Sequence, residues 1–262
     1  MLDNIIVLKC GGSSIDELSD SFFDNVQSLI NQGVHPVIVH GGGPAIQGML
    51  EKLNVQFEFI DGLRKTTDEM MDVVEMVLTG SVNPTLSRRL NDHHINAVGI
   101  SGADMDLLEA TPLDYDKYGL VGEVSHVNVQ VIHDLINQNI VPVISPIAFG
   151  KDGNKYNINA DTAAGAVAAA LNAKQLIFVT DVPGILQDGE LLEEVTTETV
   201  EKLIQNNTIF GGMIPKVKAA MKGLKHNVSE VMIVNGKKSK MKNKKTLAGT
   251  TIKNAKLAVA TV

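Results

Sequence analysis

The sequence predicts a three-layer αβα sandwich on a mainly parallel sheet, divided into two lobes. The first observation is that continuous apolar runs rich in Val and Ile alternate with helical patterns along the chain. Such runs are typical of parallel strands buried on both faces. The second observation is that two of these runs end in glycines and lead directly into a helix, as strands of an open parallel sheet do. With 262 residues, 44% of them hydrophobic, the chain is long enough to bury an ample core.

The first predicted elements are strand, helix, strand and helix. The opening strand is 5–8, and the helix after it is closed by Gly33. A second buried strand, 36–39, runs into His40-Gly41-Gly42-Gly43. Pro44 then suits the first position of a helix, where its missing N–H is no loss. The apolar face of the first helix is formed by Phe22, Val26, Leu29 and Ile30.

The later elements follow the same alternation. Thr66 and Glu69 have the spacing of a capping box before a helix with an apolar face. The other predicted elements are strands at 97–100, 141–145, 175–180 and 231–234, helices at 162–171 and 213–224, and a hairpin turn at Asp188-Gly189. No fixed-period repeat and no Pro/Ser-rich linker interrupts them. We therefore expect a single domain over 1–262, with one lobe at 1–172 and the other at 173–262.

Charge and cysteine usage exclude several classes of protein. A net charge of −7 disfavours a general nucleic-acid binder. The exception is the lysine-rich run 237–245, interpreted as a solvated loop or one near a polyanionic ligand. Cys10 is the only cysteine, so no internal disulfide forms, and we expect it to point into the core of a cytoplasmic protein. No apolar run has the length of a membrane span, no secretory signal opens the chain, and the seven histidines show no metal-ligand pattern.

Two glycine-rich turns predict a phosphate-binding site. They are Lys9-Cys10-Gly11-Gly12 and His40-Gly41-Gly42-Gly43, and each joins a strand to a helix. Glycine permits close backbone approach, and helix N-termini present unpaired N–H groups to anions. Lys9 ends an otherwise apolar strand, where an unpaired ammonium is costly to bury, so we expect it to meet a phosphate oxygen. The alternatives are tight turns without a ligand and a solvent-facing lysine, and neither turn has a Walker or dinucleotide-binding pattern.

Six motifs, spread over nearly the whole chain, resemble those of the amino acid kinase family. Two of them, Lys-x-Gly-Gly and Thr-Asp-Val-x-Gly, are similar throughout the family, which includes aspartate, glutamate, carbamate and uridylate kinases. Three others, Gly-Leu-Arg-x-Thr, Asn-x-Asn-Ala-Asp and Gly-Gly-Met-x-x-Lys, are narrower and point to a member that acts on an acylated amino acid. The six are Lys9-x-Gly11-Gly12-Ser13, His40-Gly41-Gly42-Gly43, Asp61-Gly62-Leu63-Arg64-Lys65-Thr66, Asn157-Ile158-Asn159-Ala160-Asp161, Thr180-Asp181-Val182-Pro183-Gly184-Ile185 and Gly211-Gly212-Met213-Ile214-Pro215-Lys216.

The resemblance implies phosphoryl transfer from ATP to the side-chain carboxylate of N-acetyl-L-glutamate, in arginine or ornithine synthesis. Mg²⁺ would be held mainly by the nucleotide phosphates. A carboxylate with a reference pKa of ~4.3 is already ionised at pH 7, so the reaction requires no general base. One alternative is the same chemistry on an N-acylated aminoadipate, since one carbon changes binding by only ~1–3 kcal/mol. Another is a non-catalytic nucleotide or amino-acid sensor. The presence of Lys9, Lys216 and Asp161 disfavours it, because a sensor has no transition state to stabilise.

The resemblance also implies the catalytic residues. Lys9 and Lys216 would neutralise the transferring phosphoryl group from two sides, and Asp161 would hold both lysines. The alternative for Lys216 is a solvated helix face, which the glycines at 211 and 212 disfavour. The alternative for Asp161 is that it merely caps the helix that follows it.

The acyl amino acid and the nucleotide would occupy different lobes. In the first lobe, Arg64 would grip the α-carboxylate of the acceptor with its planar fork, unless it is an ordinary surface arginine. Asn157 would be its partner, and Gly42 and Gly43 would offer backbone amides. The alternative for Asp181 is a turn cap. The residues implied for the nucleotide are Gly12, Thr180, Asp181, Val182, Pro183, Gly184, Ile185, Thr208, Ile209 and Phe210.

The last expectation concerns assembly. Arginine-inhibited members of the family have an extra N-terminal helix that links dimers into hexamers. Here only about three residues precede the first strand, fewer than the ~3.6 of one helical turn. We therefore expect a homodimer that contacts through the first lobe and is insensitive to arginine, unless another surface replaces that helix.

Overall fold

The computed structural model describes residues 4–12, 15, 17–211, 213–224, 228, 230–242 and 246–254, without the side chain of Pro215. Ser13, Gly212 and 243–245, which belong to motifs above, lie outside these residues. The described strands are β1 (Ile5–Cys10), β2 (His35–His40), β3 (Phe59–Ile60), β4 (Leu63–Arg64), β5 (Ala97–Ser101), β6 (Leu108–Pro112), β7 (Val121–Val127), β8 (Val141–Ser145), β9 (Ile147–Gly150), β10 (Lys155–Ile158), β11 (Gln175–Thr180), β12 (Leu186–Gln187), β13 (Glu190–Leu191), β14 (Glu194–Thr196), β15 (Glu230–Asn235), β16 (Met241–Lys242), β17 (Thr246–Leu247) and β18 (Gly249–Lys253). The described α-helices are α1 (Asp20–Ile30), α2 (Gly43–Lys52), α3 (Asp68–Val77), α4 (Asn83–Asp92), α5 (Tyr115–Tyr118), α6 (Val129–Asn137), α7 (Ala160–Ala170), α8 (Thr197–Gln205) and α9 (Met213–Leu224).

Eight strands form one central sheet in the order β14-β18-β15-β11-β1-β2-β8-β5. Neighbouring strands are parallel except for the antiparallel pair β15 and β18. In β1, Val7 and Leu8 are both fully buried although successive side chains point to opposite faces of the sheet. Both faces are therefore covered, and the predicted mainly parallel three-layer fold is confirmed. No helix in the described ranges is long and apolar enough to cross a bilayer.

The predicted helix starts shift slightly in the structure. Thr67, not Thr66, caps α3, because its hydroxyl accepts a hydrogen bond from Met70 N. Asn159, not Asp161, caps α7, since its side-chain oxygen accepts hydrogen bonds from the first amides of that helix. Both differences leave a side chain, that of Thr66 or Asp161, free for contacts elsewhere.

A second group of strands has no counterpart in the predicted elements. Strands β10, β7, β6 and β9 close into a small barrel in that order. Parallel pairing places Asn157 of β10 opposite Val121 of β7. The barrel thereby brings Asn157, at the end of β10, to the carboxyl edge of the main sheet.

A two-residue turn shapes the hairpin of β3 and β4. Asp61 has φ +52° and Gly62 has φ +81°. Positive φ at both central residues is the conformation that matches the twist of a tight hairpin. The predicted turn at Asp188-Gly189 has the same form, between β12 and β13.

A π-helical turn, Leu78–Val82, joins α3 to α4 without a break. Such turns carry one extra residue per turn and occur often near functional sites. Leu78 packs so closely on Gly42 that a Cβ added there would lie 2.5 Å from Leu78 Cδ2. The turn thus contacts the second glycine-rich loop from the side.

Candidate active site

A cavity of about 350 Å³ opens at the carboxyl ends of β1 and β2, and we call it the glycine cavity. Carboxyl ends of parallel strands are where ligands bind in open α/β sheets. The structure brings into its wall the following residues predicted from the sequence: Lys9, Gly12, Gly42, Gly43, Arg64, Asn157 and Asp161. These residues come from four separate stretches of the sequence and meet only through the sheet and the barrel.

The two glycine-rich turns pack backbone against backbone. A Cβ added to Gly12 would lie 2.7 Å from the amide nitrogens of both Gly42 and Gly43, so only glycine fits there. Gly42 begins α2 without a side-chain cap, which leaves the first amides of that helix available to another acceptor. The turns therefore provide free backbone amides at a helix N-terminus, which can bind an anion.

Lys9 and Asp161 form an ion pair inside the glycine cavity. Lys9 Nζ lies 2.8 Å from Asp161 Oδ1, and the two side chains are 16% and 33% exposed. Asn159 Oδ1 accepts hydrogen bonds from Asp161 N at 2.9 Å and Thr162 N at 3.3 Å. Because Asn159 performs the capping, the Asp161 carboxylate is left to orient Lys9. Asn159 itself lines the cavity and was missed, although asparagine is a preferred N-cap residue.

Lys216 differs from its expected pairing. Its ammonium forms an ion pair with Asp181 at the end of β11, rather than sharing Asp161 with Lys9. The hydrogen bond from Lys216 holds the pKa of Asp181 below its usual value. Each lysine thus has its own carboxylate, because α7 and β11 deliver their aspartates to neighbouring but separate places.

Arg64 is a buried arginine, so the surface alternative is wrong. Only 7% of the surface of Arg64 is exposed. Its guanidinium carbon lies 4.9 Å from the ring centre of Phe57 and 4.6 Å from that of Phe59. Nη2 donates to Gly43 O at 3.2 Å, whereas buried Nη1 has no hydrogen-bond partner among the described residues. Burial lowers the pKa of Arg64. A buried donor without a partner is costly unless a ligand accepts its hydrogen bond.

Thr66 connects Arg64 to Asn157, a role that sequence reasoning missed. Asn157 Nδ2 donates to Thr66 Oγ1 at 3.1 Å, and that hydroxyl donates to Arg64 O at 2.9 Å. Thr66 is fully buried. These two hydrogen bonds connect the barrel strand that carries Asn157 to the hairpin strand that carries Arg64. They thereby set the distance between the two polar side chains.

His40 lies beneath the glycine-rich turn and was expected to be structural. It is fully buried, its Nδ1 lies 2.9 Å from Gly41 O, and its Nε2 lies 3.0 Å from Asn83 Nδ2. Asn83 Nδ2 also donates to Val143 O at 2.8 Å. A carbonyl only accepts and an amide NH₂ only donates, so His40 is neutral with its proton on Nδ1. Burial lowers the pKa of His40 to about 4.

The buried histidine predicts a pH dependence of stability. Between the unfolded pKa of 6.5 and the folded pKa of about 4, the unfolded chain binds a proton that the folded chain excludes. Stability should therefore fall as pH drops through this window, by about 3 kcal/mol in all. Urea unfolding at pH 7, 6, 5 and 4.5 measures it, with His40→Gln as the comparison. As the pH falls across this range, the free energy of unfolding should decrease more for the wild type than for His40→Gln, approaching a difference of about 3 kcal/mol. Equal decreases in the two proteins would show that burial does not shift the pKa of His40.

A second cavity, of about 740 Å³, lies beside the first at the ends of β11 and β15, and we call it the lysine cavity. Asp181 and Pro183 line it, as expected of the nucleotide segment. Its other wall was not predicted as part of the site and comes from the lysine-rich run. The lining residues from that side are Asn235, Lys237, Lys238, Lys240 and Ala248.

The structure does not bring every residue implied for the nucleotide to a cavity wall. Thr180 Oγ1 accepts from Val182 N at 3.2 Å and so shapes the strand end. Ile185 is fully buried, and a Cβ on Gly184 would lie 2.5 Å from Thr250 Oγ1. Ile209 is buried and Phe210 is 69% exposed, and neither lines one of the two cavities.

Two further expectations concern cysteine and metals. Cys10 is buried in the core as expected, and burial raises the pKa of its thiol to about 12. Within the described residues, no three His, Cys, Asp or Glu side chains come together to hold a metal ion.

The sequence and the fold match a known family. The model of the amino acid kinase family matches residues 4–235, and the chain belongs to this family. An acetylglutamate kinase of Geobacillus sp. strain WCH70 is 54% identical over 249 residues, 95% of this chain and 96% of the relative. The acetylglutamate kinase of Bacillus subtilis strain 168 is 48% identical over 255 residues, 97% and 98% of the two chains. The crystal structure of smu.665 from Streptococcus mutans UA159 superposes with a TM-score of 0.81 at 35% identity, covering 95% and 98%.

Proposed function

We propose that this protein transfers the γ-phosphoryl group of ATP to the side-chain carboxylate of N-acetyl-L-glutamate, an early step of arginine and ornithine synthesis. The product is N-acetyl-L-glutamyl 5-phosphate. The observation that carries the proposal is Arg64, which lines the glycine cavity together with Lys9 and whose buried Nη1 has no hydrogen-bond partner in the described part of the chain. The acetylglutamate kinases that match almost the whole chain support the same acceptor.

The acceptor is held by groups that recognise its two ends. The planar guanidinium of Arg64 binds the α-carboxylate, and the stack on Phe57 and Phe59 prevents it from turning away. Asn157 uses one amide hydrogen on Thr66, and its carbonyl oxygen accepts from the acetamido N–H. The side-chain carboxylate then extends toward Lys9 and the amides of Gly42 and Gly43. An acceptor without an α-carboxylate leaves the Arg64 donor unpaired.

Phosphoryl transfer requires positioning and charge neutralisation rather than proton abstraction. The attacking carboxylate is already ionised, so no residue needs to act as a base. Lys9, oriented by Asp161, neutralises the oxygens of the transferring group from one side. Lys216, oriented by Asp181, approaches from the nucleotide side. The close contact of Gly12 with Gly42 and Gly43 holds donor phosphate and acceptor carboxylate near one another.

ATP occupies the lysine cavity in this proposal, with its phosphates directed toward Gly12. Strands β11 and β1 are neighbours in the sheet, so the two cavities open at adjacent strand ends. The segment Thr180–Ile185 forms one side through Asp181 and Pro183, and Val182 keeps its turn in shape. Thr208–Phe210 lines neither cavity, and its predicted contact with the nucleotide stays a prediction. Mg²⁺ would be held mainly by the phosphate oxygens of ATP and by water, where it would neutralise phosphate charge.

The test is trapping of the acyl phosphate with hydroxylamine while ATP consumption is followed. Four acceptors are compared: N-acetyl-L-glutamate, glutamate, aspartate and N-acetylaminoadipate. Hydroxamate should form fastest with N-acetyl-L-glutamate. A higher kcat/KM with N-acetylaminoadipate, or product from free glutamate alone, would overturn the acceptor assignment. If none of the four acceptors supported ATP consumption, the proposed reaction would be wrong.

The proposed working form is a cytoplasmic homodimer. The acyl amino acid site and the dimer contact belong to the lobe at 1–172, and the nucleotide site belongs to the lobe at 173–262. Met76 on α3 is an apolar residue of the first lobe and is 59% exposed, so a charge placed there would disrupt an apolar contact on this face. Sedimentation of the wild type against Met76→Lys checks the contact: the wild type should sediment as a dimer and the variant as a monomer.

A further inference from the structure

The lysine-rich run forms a fixed wall of the lysine cavity at residues 236–240. Asn235 holds the start of this segment, since its Oδ1 accepts from Lys237 N at 2.8 Å and from Lys238 N at 2.7 Å. Asn235 Nδ2 donates to Asp181 O at 3.0 Å. The same side chain therefore ties the lysine segment to the strand end that carries Asp181.

The middle of the segment is anchored from the other side. Ser239 is 8% exposed, and its hydroxyl accepts from Asn25 Nδ2 of α1 at 3.0 Å. Ala248 N donates to Lys240 O at 2.7 Å. With Ser239 turned inward, its exposed neighbours Lys238 and Lys240 both lie in the cavity wall.

These two lysines carry uncompensated positive charge. Lys237 is neutralised by Glu17, at 2.8 Å, and Asp181 is engaged by Lys216. Lys238 and Lys240 form no ion pair with any residue in the described part of the chain. The lining opposite the lysine segment has the apolar side chains of Pro183 and Leu191. A cavity with an apolar wall and a cationic wall fits a ligand that is flat and apolar at one end and anionic at the other.

We propose that Lys238 and Lys240 attract and bind the polyphosphate of the nucleotide, so that nucleotide affinity rises with the number of phosphates. This inference rests on the proposed function, which places ATP in the lysine cavity. Charges that face a cleft concentrate ions of opposite sign, and the effect weakens as salt screens it. The lysines would act on binding, and the transfer step itself would depend on Lys9 and Lys216.

The test is the dissociation constant of ATP, ADP and AMP, measured by calorimetry without acceptor at 50 and 200 mM salt. The variant is Lys238→Gln/Lys240→Gln. The matched control is Lys52→Gln/Lys174→Gln, which removes the same charge from exposed lysines away from both cavities. Thermal unfolding of each protein checks that the fold is kept.

The double variant should bind ATP about tenfold more weakly at 50 mM salt, ADP less so and AMP least, and its salt dependence should be flatter. The control should match the wild type. An equal loss for the three nucleotides, or no loss, would overturn the role of these lysines. A wild type that binds no adenine nucleotide would instead contradict the proposed function.

Discussion

Lys9→Ala should lower kcat about 10³-fold, the scale on which single cations act in phosphoryl transfer, and change the KM for either substrate far less. The reason is that Lys9 faces charge that develops on the transferring group, and the Asp161 carboxylate keeps its ammonium aimed there at 2.8 Å. An interaction made mainly in the transition state appears in kcat rather than in binding. Steady-state kinetics with acyl phosphate trapping, and ATP binding by calorimetry, measure the two quantities separately.

Two further variants sharpen this result. Asp161→Asn keeps Lys9 but removes the charge that orients it, so kcat should fall by an intermediate factor. Lys52→Ala, at the exposed end of α2, should leave both constants unchanged. If Lys9→Ala weakened ATP binding as much as it lowered kcat/KM, Lys9 would be a binding residue only.

Arg64→Lys should raise the KM for N-acetyl-L-glutamate about 100-fold while the KM for ATP stays near the wild-type value. Lysine retains the charge but lacks the fork that binds a carboxylate through two parallel hydrogen bonds, and it is more strongly hydrated in a site that is almost fully buried. The measurement is the KM of each substrate at a saturating concentration of the other.

The matched control for that experiment is Arg88→Lys. Arg88 is exposed on α4 and pairs with Asp92 one helical turn away, so the same substitution there should change neither KM. Arg64→Lys should also cost about 1–2 kcal/mol of stability, because the two cation–π contacts with Phe57 and Phe59 are weakened. An unchanged acceptor KM in a folded Arg64→Lys protein would place the acceptor elsewhere.

The central sheet could be predicted from the sequence because its strands are buried on both faces. Strands such as β1 and β11 are unbroken apolar runs, a signal that needs no knowledge of neighbours. The barrel strands carry no such signal. Lys155–Ile158, for example, is short and alternates between half-buried and buried residues, and its pairing with β7 joins segments about thirty residues apart. Its existence depends on long-range contacts that local periodicity does not reveal.

The same distinction applies to the site. Lys9, Gly12, Arg64 and Asp161 stand in motifs, so their meeting in one cavity could be predicted. The partner of Lys216 could not, because it depends on where α9 places a long side chain relative to β11. Thr66 was missed for a related reason. Its capping-box spacing correctly predicted a helix, but Thr67 and not Thr66 caps that helix. The Thr66 hydroxyl instead joins Asn157 to Arg64 through buried hydrogen bonds.

The π-helical turn Leu78–Val82 fixes the rotation of α4 about its own axis. Each residue of an α-helix advances the side-chain direction by about 100°, so the extra residue in this turn sets where Asn83 points. In the observed rotation Asn83 reaches both His40 and Val143 O. Deletion of one residue from the turn should rotate α4 by about 100° relative to α3 and turn the Asn83 side chain away from His40. The π-helical turn thus sets the direction in which Asn83 points. Asn83 in turn holds His40, which lies beneath the second glycine-rich turn.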